Sequence, residues 1–166
     1  MNHVASGKAV PARSVTHATF VIERAFSAAP EHVFAAFADP ARKRRWFAEG
    51  EGFQVDEFRM DFRVGGSEHA RFRFSEGSPV PASTMENETV YLDIVPGRRI
   101  VIAYVMILDG KRISASLATF EILSADQGTR LIFTEQAAFF EGADGAKLRE
   151  QGWRELLESL SRELGQ

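Results

Sequence analysis

From Phe53 to Phe140 the chain writes six alternating segments in a row, with no helix-period segment between them. "EFRMDFRV", "SEHARFRF", "MENETVYLDIV", "RRIVIAYVMIL", "KRISASLATFEIL" and "RLIFTEQAAF" each place apolar residues at every second position, the period of a half-buried strand. Gly65-Gly66, Pro96-Gly97, Asp109-Gly110 and "SADQGT" mark short turns, and one longer stretch, "EGSPVPAST" over 76–84, reads as a loop that could act as a lid. Consecutive strands with short connections predict an antiparallel meander. Such a sheet has an apolar face that something must cover. The one long helical pattern, from about Gly145 to Leu164, carries Trp153, Leu156, Leu157, Leu160 and Leu164 on one side, with Glu150–Arg154 and Glu158–Arg162 as i,i+4 pairs on the other. It is expected across the concave face of the sheet.

Ahead of the meander, "THATFVIERAFSA" reads as a further strand. "APEHVFAAF" and "DPARKRRWF" read as two short helices, with Pro30 opening the first and Asp39-Pro40 capping and opening the second. Residues 1–16 are small, polar and aperiodic, and are expected to form a mobile tail to a single domain over 17–166. The fold class is α+β, a helix-grip arrangement in the order β-α-α-β6-α.

Composition narrows the function. Fourteen Phe against two Tyr supply large apolar area without a polar handle, which suits the lining of an apolar interior. A net charge of −3 gives no field for phosphates, so nucleic acid is not an expected partner. The absence of cysteine removes disulfides and thiolate metal sites. No apolar run reaches membrane-spanning length, so no integral membrane association is expected and the cytoplasm is the expected compartment. His3, His17, His32 and His69 show no metal spacing, and no dinucleotide, phosphate-loop or nucleophile-elbow signature is present. No metal and no cofactor are expected.

Extending each apolar phase to its polar members gives candidate site residues. On the fourth strand Val90, Leu92 and Ile94 set an inward phase that Glu88 shares. Tyr104 and Met106 share the phase of Ile100 and Ile102, and Phe120 carries Arg112, Ser114 and Ser116 to the same side. Phe133 carries Glu135. Glu88, Met106, Arg112 and Glu135 are expected to converge near the 76–84 loop, either as the polar end of an apolar pocket or as a partly solvated ion-pair network. Glu68, at the start of its strand, is expected to bend to solvent, and Arg42-Lys43-Arg44-Arg45 to form a solvated face.

Five stretches in order, "APEHVFAAFADPARKRRWF", "DFRVGG", "YLDIVPGRRIV", "GTRLIFTEQ" and "GWRELLESL", resemble the heat-shock-protein-90 ATPase activator-like family within the START/Bet v 1-like (SRPBCC) superfamily. The resemblance covers roughly residues 17–164. It implies the helix-grip fold and a cavity between sheet and long helix. The family's eukaryotic namesake is a co-chaperone with a separate N-terminal domain implicated in chaperone binding; ahead of the matching region the residues here are expected to form only the tail over 1–16.

Three readings follow. The first is a binding module holding a hydrophobic small molecule or lipid. The second is a small-molecule enzyme of cyclase or hydrolase type using Glu88, Arg112 or Glu135. The third is a chaperone-interaction module. The residues set no oligomeric state. Gly152 focuses the first reading, because a glycine inside a helix costs about 1 kcal/mol relative to alanine. It shares a row with Leu148, Leu156 and Leu160 beside Trp153. Close approach of helix to strand is the favoured explanation, and space left for a ligand the other.

Overall fold

The computed structural model describes residues 13–78 and 82–166. Most of the expected tail (1–12) and the centre of the expected lid (79–81) lie outside the described residues. The element order is β1 (Thr16–Phe26), α1 (Pro30–Ala38), α2 (Pro40–Lys43), a π-helical turn (Arg44–Ala48), β2 (Phe53–Met60), β3 (Ser67–Phe74), β4 (Thr84–Val95), β5 (Arg99–Leu108), β6 (Lys111–Ala125), β7 (Gly128–Phe139) and α3 (Ala146–Glu163). One antiparallel sheet runs β1-β7-β6-β5-β4-β3-β2, so the first and last strands pair and the meander ends at β2. This is the expected α+β helix-grip arrangement.

Local chemistry places the short helices. Pro30 opens α1 without wasting an N–H. The Asp39 carboxylate accepts from the Ala41 and Arg42 amides at 2.9 and 3.1 Å, capping α2. The chain then widens into the π turn, which drives Trp46 and Phe47 into the interior. The Trp46 indole N–H donates to the Ala36 carbonyl at 2.8 Å, closing the two helices on each other. Phe37 packs on Trp46 and on Phe120 of β6, with ring centroids 5.0 and 4.9 Å apart. Phe120, Phe133 and Trp153 continue that aromatic column to α3.

The strand "EFRMDFRV" ends earlier than its alternation suggests. After Met60 the chain leaves the sheet, Val64 is exposed, and the Gly65 N–H donates to the Tyr91 carbonyl at 2.7 Å. A side chain on Gly66 would overlap the Asp61 carbonyl oxygen, so this turn requires glycine.

Three bulges shift the strand phase. In β2 the register slips between Val55 and Glu57, and in β4 between Tyr91 and Asp93. The third lies where Met106 pairs with Ser114 but Ile107 pairs with Arg112, leaving Ile113 as the extra residue. Each bulge turns the side chains beyond it to the other face. Consequently Val90 and Leu92 point outward and are exposed, while Thr89 and Tyr91 are buried, contrary to the phase expected from Ile94.

Candidate functional site

The buried row of α3 is Arg149, Trp153, Leu157 and Leu160, one position round from the row expected through Leu148 and Gly152. Leu148 is exposed. Trp153 is buried against Phe133, with ring centroids 4.4 Å apart, and its indole N–H donates to the Tyr104 hydroxyl at 3.2 Å.

Four residues before Trp153, Arg149 enters the interior and joins helix to sheet. Its Nη1 donates to Tyr104 Oη and Glu135 Oε1, both at 3.1 Å. Its Nη2 donates to Ser114 Oγ at 2.7 Å and Asp144 Oδ1 at 2.8 Å, and its Nε donates to Asp144 Oδ2 at 2.8 Å. The five N–H donors of a guanidinium are all spent inside the protein. Glu135 is 0% exposed, and its Oε1 also accepts from the Tyr104 hydroxyl at 2.6 Å and the Ser116 hydroxyl at 2.7 Å. Its Oε2 has no hydrogen-bond partner among the described residues. Burial holds the Tyr104 hydroxyl well above the ordinary tyrosine range, with Arg149 pulling down and Glu135 pushing up. Burial acts to lower the Arg149 pKa but is outweighed by Tyr104, Asp144 and Glu135, so the guanidinium stays charged.

A second buried pair closes the far end of the interior. Lys43 Nζ lies 3.5 Å from Glu68 Oε2, with side-chain exposures of 6% and 3%. The Tyr91 hydroxyl donates to the same Glu68 oxygen. Burial, then the Glu68 charge, keeps that hydroxyl protonated. The Lys43 ammonium also faces the rings of Phe47, Trp46 and Phe37 at 4.6, 5.1 and 5.7 Å. Two expectations are overturned here. Glu68 does not bend to solvent, and the basic run is not wholly a solvated face, because Lys43 shares the inward helical side with Trp46 and Phe47.

Between α3, the π turn and strands β2–β5 lies a cavity of about 1060 Å³. Phe53, Phe72, Phe74, Met85, Asn87 and Met106 form its sheet side. Gly152, Trp153 and Leu156 form the helix side, Phe47 comes from the π turn, and Tyr104, Arg149 and Asp144 border one end. A Cβ built on Gly152 meets nothing within 4 Å. Close helix–strand approach, the favoured explanation of this glycine, is therefore wrong.

Of the expected site residues, Tyr104, Met106, Gly152, Trp153 and Leu156 line the cavity. Ser114, Ser116, Phe120, Phe133 and Glu135 are buried behind it, in the polar cluster and the aromatic column. Glu88 and Arg112 do neither. They pair with each other at 3.8 Å with 49% and 66% exposed side chains, turned to the outer face by the bulges at Leu92 and Ile113. Glu158 pairs with Arg24 rather than Arg162, whereas Glu150–Arg154 forms as expected at 2.6 Å. The sequence reading missed Lys43, Asn87, Asp144 and Arg149. Two of these carried a signal: each buried cation sits four residues before a buried aromatic on its own helical segment.

A family profile described as "Activator of Hsp90 ATPase homolog 1-like protein" matches residues 27–165. The chain belongs to that family. Among solved structures, the Mll3558 protein of Rhizobium loti is 47% identical over 91% of this chain and 99% of its own, with a TM-score of 0.81. A putative uncharacterized protein of Rhizobium leguminosarum is 37% identical over 93% and 99%, with a TM-score of 0.85. An AHSA1-like protein of Aeromonas hydrophila, 19% identical over 89% and 92% at a TM-score of 0.65, shares the fold. The search among curated proteins found no match. For this activator-like chain, the helix-grip fold of the Bet v 1-like type is thus found both by geometry and by kinship. No helix among the described residues is long and apolar enough to cross a membrane.

Proposed function

We propose that this activator-like protein binds a hydrophobic small molecule or lipid in the cavity between α3 and the sheet. The observation that carries the reading is Gly152. A helix-interior glycine gives up stability relative to alanine, and here no neighbouring atom demands that loss. What its missing side chain does is widen a cavity slightly larger than the usual range for ligand sites, walled by Phe47, Phe53, Phe72, Phe74 and Trp153. The phenylalanine excess of the sequence is spent partly on this wall.

The enzyme reading loses its proposed machinery. Glu88 and Arg112 face outward, and Glu135 is fully buried behind the cavity, with its Oε1 accepting from Tyr104, Ser116 and Arg149. Native mass spectrometry of freshly purified protein, followed by melting in the presence of a panel of hydrophobic compounds, tests the binding reading. A co-purifying mass or a raised melting temperature supports it. Neither, together with stimulation of the chaperone's ATPase by this chain, would favour the chaperone-interaction reading instead.

A further inference from the structure

The cavity's charges and the unpartnered polar side chain on its sheet side bear on what kind of molecule it takes. This inference rests on the binding reading above. A carboxylate or phosphate in a partly buried site requires a cation with donors to spare. Arg149, the buried cation of the cavity, has committed all its donors to Asp144, Ser114, Tyr104 and Glu135. The other two cations, Arg45, bonded to Glu163 at 3.0 and 2.7 Å, and Arg162, bonded to Ser159 at 2.8 Å, lie exposed at the rim, away from the buried end. Acidic side chains along the lining outnumber basic ones, six to three. Nothing at the buried end invites a negative charge.

The sheet side offers something different. Among the side chains that β2 to β5 present to the cavity, Asn87 and Tyr104 are the polar ones. The Tyr104 hydroxyl donates to Glu135 and accepts from Arg149 and Trp153, so it is occupied. Asn87 sits between Met85 and Thr89 on β4, opposite Ala70 on one side and Met106 on the other. Its Oδ1 is buried and has no hydrogen-bond partner among the described residues. A buried acceptor left without a donor is destabilising unless something meets it. Here it lies among phenylalanine and methionine side chains, beside a small Ala70 that takes little space. A ligand hydroxyl can donate to Oδ1, and a half-turn of the amide would present Nδ2 to the hydroxyl oxygen instead.

We infer that the cavity selects an uncharged, largely apolar molecule that carries a hydroxyl group, an alcohol or phenol, and that Asn87 is the residue that recognises it.

The test uses a matched pair, 1-naphthol and 1-methylnaphthalene, which differ by a hydroxyl in place of a methyl, with 1-naphthoate as the anionic member. Binding is read by displacement of Nile red, an uncharged dye that brightens in apolar sites. Wild type is expected to prefer 1-naphthol over 1-methylnaphthalene by about tenfold, the worth of one well-made hydrogen bond. The preference is expected to vanish in Asn87→Leu, and in Asn87→Ala should the leucine variant fail to fold. Naphthoate is expected to bind more weakly than naphthol.

A wild-type ratio near one, or naphthoate binding tightest, overturns the inference. The wild-type ratio is decisive even if neither variant folds. The binding reading is separated by Gly152→Trp, which projects an indole into the cavity. Nile red binding that this variant weakens, combined with a ratio near one, sinks the Asn87 assignment alone. No Nile red binding to wild type sinks both.

Discussion

Replacing Arg149 by methionine tests whether the buried cluster holds helix to sheet. Methionine keeps much of the stem volume but removes every donor. The loss strands the Glu135 carboxylate, which is fully buried, with only the Tyr104 and Ser116 hydroxyls to accept from. It also leaves the Ser114 oxygen and the Asp144 carboxylate without their charged partner. Breaking a buried pair by removing one member typically costs about 3–5 kcal/mol, mostly through the uncompensated charge. With a urea m-value of about 2 kcal/mol/M, the midpoint of unfolding should fall by about 1.5–2.5 M. Glu135→Gln in the same chain keeps an acceptor for Tyr104 and Ser116 but removes the stranded charge, so the double variant should recover about 2 kcal/mol of the loss. Equilibrium urea unfolding followed by tryptophan fluorescence and circular dichroism measures both. If Arg149→Met costs under 1 kcal/mol, or the two substitutions simply add, the cluster is not the cross-link described.

Gly152→Ala should raise stability by about 0.5–1 kcal/mol, because the added methyl meets open space; a melting temperature that drops would restore the close-approach explanation. Lys43→Ala should cost about 3–5 kcal/mol by leaving the buried Glu68 with the Tyr91 hydroxyl but no cation, whereas Arg44→Ala, whose pair with Glu49 is exposed, should stay within about 0.5 kcal/mol; equal effects in thermal unfolding would contradict the division of the basic run. Glu163 accepts hydrogen bonds from Arg45 and Arg42, which hold its carboxyl below its ordinary value of 4.5. Its contribution is therefore fully present above pH 4.5 and lost as the pH falls through the depressed folded value. Glu163→Gln should lower stability at neutral pH and flatten the acid limb below pH 4.5, and an unchanged acid limb would refute the linkage.

The strand order was readable because alternation and turn chemistry are local. Asp109-Gly110 and Pro96-Gly97 announce their turns within two residues. The site was less readable because facing is cumulative along a strand. At Leu92 and Ile113 one extra residue reverses everything before it, and neither leucine nor isoleucine differs in type from its in-phase neighbours. That single cause misplaced both Glu88 and Arg112. Tyr104, Met106 and Glu135 escaped because no bulge separates them from the apolar residues that set their phase. On the helices the error was smaller. Anchoring α3 on Trp153 rather than Leu156 would have put Arg149 in the buried row, and anchoring the second short helix on Trp46 and Phe47 would have turned Lys43 inward. A cation on an apolar helical row is better read as a buried pair seeking its acid than as a solvated face.

A two-dimensional ¹H–¹⁵N NMR titration of the protein with Nile red tests the central claim most directly. The account predicts shifts at Asn87, Met106, Gly152 and Leu156, which line the cavity, with Val90, Arg112 and Leu117 on the outer face unmoved. Shifts gathered on the outer face, or none at saturating dye, would show that the space between α3 and the sheet is not a binding site.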